Sequence, residues 1–312
     1  MNEATITRTL LVDSEKYANW VLGATHPTQG RRFKNASEQF IKAMNEADRS
    51  LKVIAPRLAS KEELKRVHSV EYIDELVQEG LCSEWDGERH DLSELATLFI
   101  GGTLVALEKL LTGEVLTAIH FPGAKHHAQH RHSSGFCVFA DFALAAEIAS
   151  NDFGKRVAIL DIDAHHGDGT ENLTSENKRV LTFSIHQYGI YPGTGYSSEP
   201  SKEVFNYPLA SSLKGHDEGT DDQALARGIE KFLVEAKRFN PDLLFIACGA
   251  DGHLEDPLTS LEYSVNGYVE TAKTIKANFP NTPILFGGAG GYLPDTRTPE
   301  IWSKFALEIS NR

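Results

Sequence analysis

An α/β domain with a central, mostly parallel sheet and helices on both faces is what this 312-residue sequence predicts, and three observations carry the expectation. Short apolar runs rich in β-branched residues recur along the chain, as strands buried on both faces do. Helix-length patterns separate them, and strand–helix alternation implies right-handed parallel crossovers. Each run is followed by a segment that combines Gly with His, Asp or Tyr, and ligands of open α/β sheets bind beyond the carboxyl ends of the strands.

The strand runs, in order, are residues 115–121, 156–163, 180–186, 243–249 and 283–289. The helical patterns between and after them are 92–111, 139–149, 221–239, 261–277 and 299–309. Upstream, 36–47 and 61–77 have the spacing of helices that flank the sheet. No repeat, low-complexity tract or Pro/Gly/Ser-rich linker divides the chain, so one domain over 1–312 is expected.

Hydrophobic residues at 41% and charged residues at 24% suit a soluble domain with a sizeable core. A net charge of −13 spread along the chain argues against a protein that grips nucleic-acid phosphates. Cys82, Cys137 and Cys248 are widely spaced, which points to neither a disulfide framework nor a cysteine zinc site. The start has no secretory apolar segment and no run reaches membrane-spanning length, so a cytoplasmic protein is expected. Nothing in the sequence sets the oligomeric state.

The strand exits supply the chemistry. In LDIDAHHGDG, Asp161, Asp163 and His165 alternate with Ile162 and Ala164, which places all three on one face if the strand continues. A carboxylate and an imidazole at that spacing suit one metal ion. Asp251, after the run LLFIACGA, is a third candidate ligand. Three protein ligands leave a position for water and substrate, the mark of a catalytic metal site. His126-His127 follows another strand. Alone, the pair is ordinary loop polarity, but Asp161 and Asp168 are spare carboxylates able to orient one imidazole each. In GGAGGYLPD, the glycines bring backbone close to another group and Tyr292 follows, a phenol able to donate to a developing oxyanion.

In this order PGAKHHA, SSGFC, DIDAHHGDGT, SIH, YPGTG, GADGH and GGY resemble the histone deacetylase, acetoin utilisation and acetylpolyamine amidohydrolase family, with matches from about His68 to Tyr292. The resemblance implies the arginase/deacetylase-like fold and a zinc-dependent amidohydrolase. It implies one catalytic zinc on Asp163, His165 and Asp251, with His127 as general base and His126 beside it. Asp161 would pair with His126, Asp168 with His127, and Tyr292 would be the oxyanion donor. Gly135, Phe136 and Tyr191 would line a channel, and potassium would sit on the segment Asp161, Asp163 and His165 with Ser184 and Ile185.

The substrate implied is an acylated lysine peptide or an acetylated small amine. Where polyamine-selective relatives carry a glutamate after Asp-Pro, this chain has Leu258, so acyl-lysine is favoured; Glu255, Asp86 or Glu88 are the candidate replacements at the rim. Two departures stand out. Ala289 and Leu293-Pro294 flank the tyrosine loop, and residues 80–91 lack a clear rim motif. A binuclear manganese ureohydrolase of the same fold would need an Asp where His253 stands, and a non-catalytic binding protein would have lost a ligand, base or tyrosine.

Overall fold

The computed structural model describes residues 8–210 and 219–310. Eight strands form one sheet: β1 (Thr9–Val12), β2 (Leu51–Ile54), β3 (Thr117–His120), β4 (Val157–Asp161), β5 (Val180–Gln187), β6 (Val204–Leu209), β7 (Leu243–Ala247) and β8 (Ile284–Gly287). Their order is β2-β1-β3-β8-β7-β4-β5-β6, and every pairing is parallel. The five expected runs are β3, β4, β5, β7 and β8. The expectation of a mostly parallel sheet is therefore met in full.

Three strands went unforeseen, and all lie toward the sheet's margins. β1 and β2 fall in the N-terminal part read as helical; each is short, and β2 places Lys52 and a half-exposed Val53 at the outer edge. β6 carries Asn206 and Pro208, which interrupt the apolar run. Proline cannot donate to a ladder, and an edge strand tolerates it because one side needs no partner.

Helices α1 (Arg31–Glu46), α2 (Lys61–Leu64), α3 (Val70–Glu79), α4 (His90–Leu111), α5 (Asp141–Asn151), α6 (Asp168–Thr174), α7 (Asp222–Phe239), α8 (Val265–Asn278) and α9 (Arg297–Ile309) complete the domain. They pack in two series, α1 on α9 on α8 on α7 and α3 on α4 on α5 on α6. The expected helix 61–77 is two helices, because the Ser69 side chain caps a new start by accepting from Tyr72 N while Ser69 N donates to the His130 carbonyl. The expected helix 261–277 begins later, at the Ser264 cap; Glu262 and Tyr263 form bridges instead. α6 was not expected.

The four central strands, β3, β8, β7 and β4, are buried at every position. Such strands keep polar groups off their length and release them at their ends. Their exits lie side by side on one edge, where the site is found.

Candidate functional site

β4 ends at Asp161, so Asp163 and His165 do not continue a strand as the alternation suggested. Turn bonds hold them instead. Asp163 N donates to Asp161 Oδ1 (3.0 Å), His165 N to Asp163 Oδ1 (2.9 Å) and Ala164 N to Asp251 Oδ1 (3.0 Å). The last bond ties the β4 exit to the β7 exit, its neighbour in the sheet.

Asp163, His165 and Asp251 each offer a ligand atom, all within 4.8 Å of one another. His165 Nδ1 lies 3.1 Å from Asp163 Oδ1 and 2.9 Å from Asp251 Oδ2. Burial, then the charge of Asp163, pushes the Asp251 carboxyl up to about 7. Burial disfavours charge on His165 too, but the two carboxylates raise it to about 11. Both shifts say that this pocket draws in positive charge. Two carboxylates and an imidazole this close fit a divalent cation, which relieves their repulsion and takes the imidazole lone pair.

The β3 exit brings the histidine pair to the same place. Asp141 accepts from Ala124 N (3.0 Å) and Lys125 N (2.7 Å), holding a loop in which Ala124 has φ +64°. His126 Nδ1 is 2.7 Å from Asp161 Oδ2, and His127 Nδ1 is 2.6 Å from Asp168 Oδ1, at the first residue of α6. Gln129 Nε2 donates to the other Asp168 oxygen (2.8 Å). The rings lie 3.9 Å apart, yet they titrate in opposite directions. Burial, then the neighbouring His126, lowers His127 to about 4 despite Asp168. Burial opposes charge on His126 as well, but Asp161 and Asp163 raise it to about 9. His127 is thus the neutral member at physiological pH.

A cavity of about 380 Å³ opens over these groups, lined by Glu84, His127, Gly135, Phe136, His165, Tyr191, Leu258 and Tyr292. Gly135 has φ +53°, and a Cβ there would fall 2.4 Å from His127 Cδ2. The Tyr191 ring stands 5.1 Å from that of His127, and its hydroxyl bonds to Ser134 Oγ. Gly290 is fixed just as tightly. Its N–H donates to Asp163 Oδ2 (2.7 Å), and a Cβ there would lie 2.5 Å from Asp251 Oδ2. Despite Ala289, which takes φ +55°, and Leu293-Pro294, the loop carries Tyr292 into the cavity. Ser184 and Ile185 lie on β5, with Ser184 paired to Asp161 in the sheet register; the Ser184 hydroxyl meets His186 Nδ1 at 2.9 Å.

Three residues escaped sequence reasoning. Glu84 is the carboxylate that lines the cavity, its Oε2 accepting from Phe136 N (3.0 Å). Asp86 and Glu88 are not among the lining residues, and Glu255 is engaged by Arg297 at 2.8 Å, so none of the three rim candidates fills that place. Asp256 accepts from Tyr292 N (2.9 Å) and Leu258 N (3.0 Å). Asp-Pro as a turn signal was the available clue to this role. Arg32 Nη1 donates to the Gly291 carbonyl (2.7 Å) from α1, remote in sequence and without a motif.

An all-parallel α/β sheet thus gathers a candidate metal centre and two carboxylate-paired imidazoles at one edge. The histone deacetylase domain matches residues 26–309, and the chain belongs to that family of deacetylase-type hydrolases. Among curated relatives, acetoin utilization protein AcuC of Bacillus subtilis (strain 168) is 32% identical over 324 residues, covering 96% of this chain and 81% of the relative. AcuC of Staphylococcus aureus (strain MRSA252) is 29% identical over 325 residues, covering 97% and 82%. The solved HD domain of HDA15 shares the fold, with a TM-score of 0.83 at 24% identity over 97% of this chain and 90% of that one.

Proposed function

We propose that the protein is a zinc-dependent deacetylase that hydrolyses acetyl, or short acyl, amides of lysine side chains. The supporting observation is that one cavity presents His127, His165 and Tyr292 together, with the carboxylates of Asp163 and Asp251 at His165. Asp163, His165 and Asp251 would hold the zinc, and bound zinc would supply a water of lowered pKa and a polarised carbonyl.

The residues around it do the rest. Asp168 accepts from His127 Nδ1, which leaves Nε2 as the lone pair that takes the water's proton and later hands one to the departing amine. His126, held by Asp161, contributes a positive neighbour that discourages proton retention on His127. Burial, then Asp251 and Asp163, keeps the Tyr292 phenol well above its ordinary range, so it remains a donor to the developing oxyanion. Gly135, Phe136, Tyr191 and Leu258 wall an apolar passage suited to the lysine butyl arm. Potassium would sit beside the site on Asp161, Ser184 and Ile185 of the adjacent strands β4 and β5 and on Asp163 and His165 in the turn that follows β4.

A second reading, an acetylated polyamine, is favoured by Glu84, whose carboxylate reaches the cavity where a distal ammonium would pass. The binuclear ureohydrolase reading is weakened, since His253 stands outside the metal group and its Nδ1 accepts from Glu255 N (3.1 Å). No helix among the described residues is long and apolar enough to cross a membrane; a cytoplasmic location is part of the proposal. The test is kcat/KM of zinc-loaded protein on an acetyl-lysine peptide, acetylputrescine and acetylspermidine. Hydrolysis of none would sink the deacetylase reading, and a tenfold preference for a polyamine would replace lysine as the substrate.

A further inference from the structure

Leading up to the histidine-pair loop is a chain of four fully buried polar side chains, Tyr17, His120, Thr103 and Asp141. Distant parts of the sequence supply them. Tyr17 comes from the short 3-10 helix Glu15–Asn19 after β1, Thr103 from the middle of α4, His120 from the end of β3 and Asp141 from the start of α5. Tyr17 Oη lies 3.0 Å from His120 Nε2, and His120 Nδ1 lies 2.9 Å from Thr103 Oγ1. Thr103 Oγ1 donates to Asp141 Oδ2 (2.5 Å), and the same carboxylate accepts from Ala124 N and Lys125 N. Gly102 in mid-α4 makes room for the chain: a Cβ there would fall 2.4 Å from His120 Nε2 and 2.8 Å from the Tyr17 hydroxyl. A glycine inside a helix is otherwise unfavourable.

Counting protons gives the chain a direction. A threonine hydroxyl has one proton, and that of Thr103 goes to Asp141. Thr103 Oγ1 therefore meets His120 as an acceptor, and the imidazole proton is on Nδ1. Burial, then the charge of Lys125, holds His120 down to about 3, so the ring is neutral and Nε2 is left as a lone pair. Burial, then Asp13, keeps the Tyr17 phenol well above its ordinary range, and its proton goes to that lone pair. Donor meets acceptor at each step from Tyr17 to Asp141, as a buried polar network requires. The far end bears on the site. Ala124 is a non-glycine residue at φ +64°, a costly conformation that persists only when its surroundings hold it. Asp141 supplies that hold, and Thr103 sets which carboxylate oxygen faces which amide, just ahead of His126-His127.

We propose that Tyr17, His120 and Thr103 are positioning residues, a directed hydrogen-bond relay that fixes Asp141 and through it the placement of His126 and His127. For its effect on turnover the inference rests on the deacetylase reading. Thr103→Val keeps the shape and removes the hydroxyl, so Asp141 loses a donor and the His120 Nδ1 proton loses its acceptor. The carboxylate is then free to turn, and the loop that carries the histidine pair relaxes from Ala124 onward. Misplacement of a reacting group by about 1 Å costs on the order of a hundredfold in rate. Thr103 does not line the reaction cavity, so substrate binding is kept.

Two measurements test the relay. The first is steady-state kinetics of zinc-loaded protein on an acetyl-lysine peptide, at a temperature where every variant is folded. Thr103→Val lowers kcat by about ten- to a hundredfold with KM within about threefold of the parent, and Thr103→Ser, which restores the hydroxyl, recovers most of the loss. A purely structural role would lower the melting temperature and leave kcat alone. Tyr17→Phe keeps the ring and its edge contact with Phe99 at 5.4 Å, lowers kcat in the same sense, and serves if Thr103→Val fails to fold. The second is nitrogen NMR of protein with isotope-labelled histidine, the His120 signals being those lost in His120→Gln. The parent shows one neutral tautomer protonated at Nδ1, and Tyr17→Phe moves part of the population to Nε2. A His120 protonated at Nε2 in the parent overturns the proposal. So does a kcat within about threefold of the parent in Thr103→Val and Tyr17→Phe, or a loss that Thr103→Ser does not recover. Failure of the deacetylase reading shows separately, as no acetyl-peptide hydrolysis by the parent, while the tautomer measurement still reads the relay.

Discussion

Replacing Tyr292 by Phe removes one hydroxyl and little else. The loop stays anchored, because Tyr292 N donates to Asp256 Oδ2, Gly290 N to Asp163 Oδ2 and Arg32 Nη1 to the Gly291 carbonyl. The ring keeps its edge contact with Phe136 at 6.0 Å and its place 5.8 Å from the Arg32 guanidinium. The hydroxyl itself makes no hydrogen bond within the described chain, so its loss orphans no partner and leaves the melting temperature and KM near parent values. What disappears is a donor used as charge develops on the carbonyl oxygen. One such donor contributes about 2.7–4 kcal/mol, or about a hundred- to a thousandfold in kcat at about 1.36 kcal/mol per decade. Steady-state kinetics on an acetyl-lysine peptide, with zinc content matched, measures it. Asp256→Ala is the contrast: it frees the Tyr292 and Leu258 amides and lowers kcat and melting temperature together. A Tyr292→Phe enzyme with kcat within about threefold of the parent would refute the reasoning, since a donor at the oxyanion cannot be lost so cheaply.

Three further outcomes are expected. Metal analysis finds one tightly bound divalent transition metal per active chain, and Asp251→Asn loses it; two per chain would revive the binuclear reading. Asp168 raises the pKa of His127 against burial and His126, so Asp168→Asn lowers it from about 4. The acid limb of the pH–rate profile then moves to lower pH, while kcat drops by about ten- to a hundredfold as the base weakens; an unmoved limb contradicts the pairing. Burial holds His68 near about 4, and His120 and His186 near about 3. These depressed values mean that the unfolded chain binds protons first, at about 6.5, so the stability is whole above that pH. It falls as pH drops toward the folded values, by up to about 1.4 kcal/mol per pH unit for each residue. Urea unfolding at pH ~7 and ~5.5 measures the loss, and equal stabilities would contradict it.

Local pattern alone pointed to most of the candidate residues that the structure brings together. The central strands are buried on both faces, so their polar residues are confined to the exits, where Asp161, Asp163, His165, Asp251, His126-His127 and Tyr292 stand within a few residues of an apolar run. The same logic failed where burial is incomplete. β2 and β6 are edge strands whose Lys52, Asn206 and Pro208 break the pattern, because an edge leaves one side of the ladder unpaired. Only the tertiary structure decided which groups meet. Asp163 and Asp251 share His165 because β4 and β7 are neighbours, and each imidazole takes its own carboxylate because the β3 loop lies across β4's exit and the start of α6. Glu84 reached the cavity wall from a segment without a motif, while Asp256 and Arg32 hold the tyrosine loop from other elements. Lys125 directly precedes the two histidines and is buried against Phe33 and Phe99, a placement no sequence signal gave. Strand order and helix packing set these juxtapositions, and both are products of the whole chain's hydrophobic burial, which no local window of sequence contains.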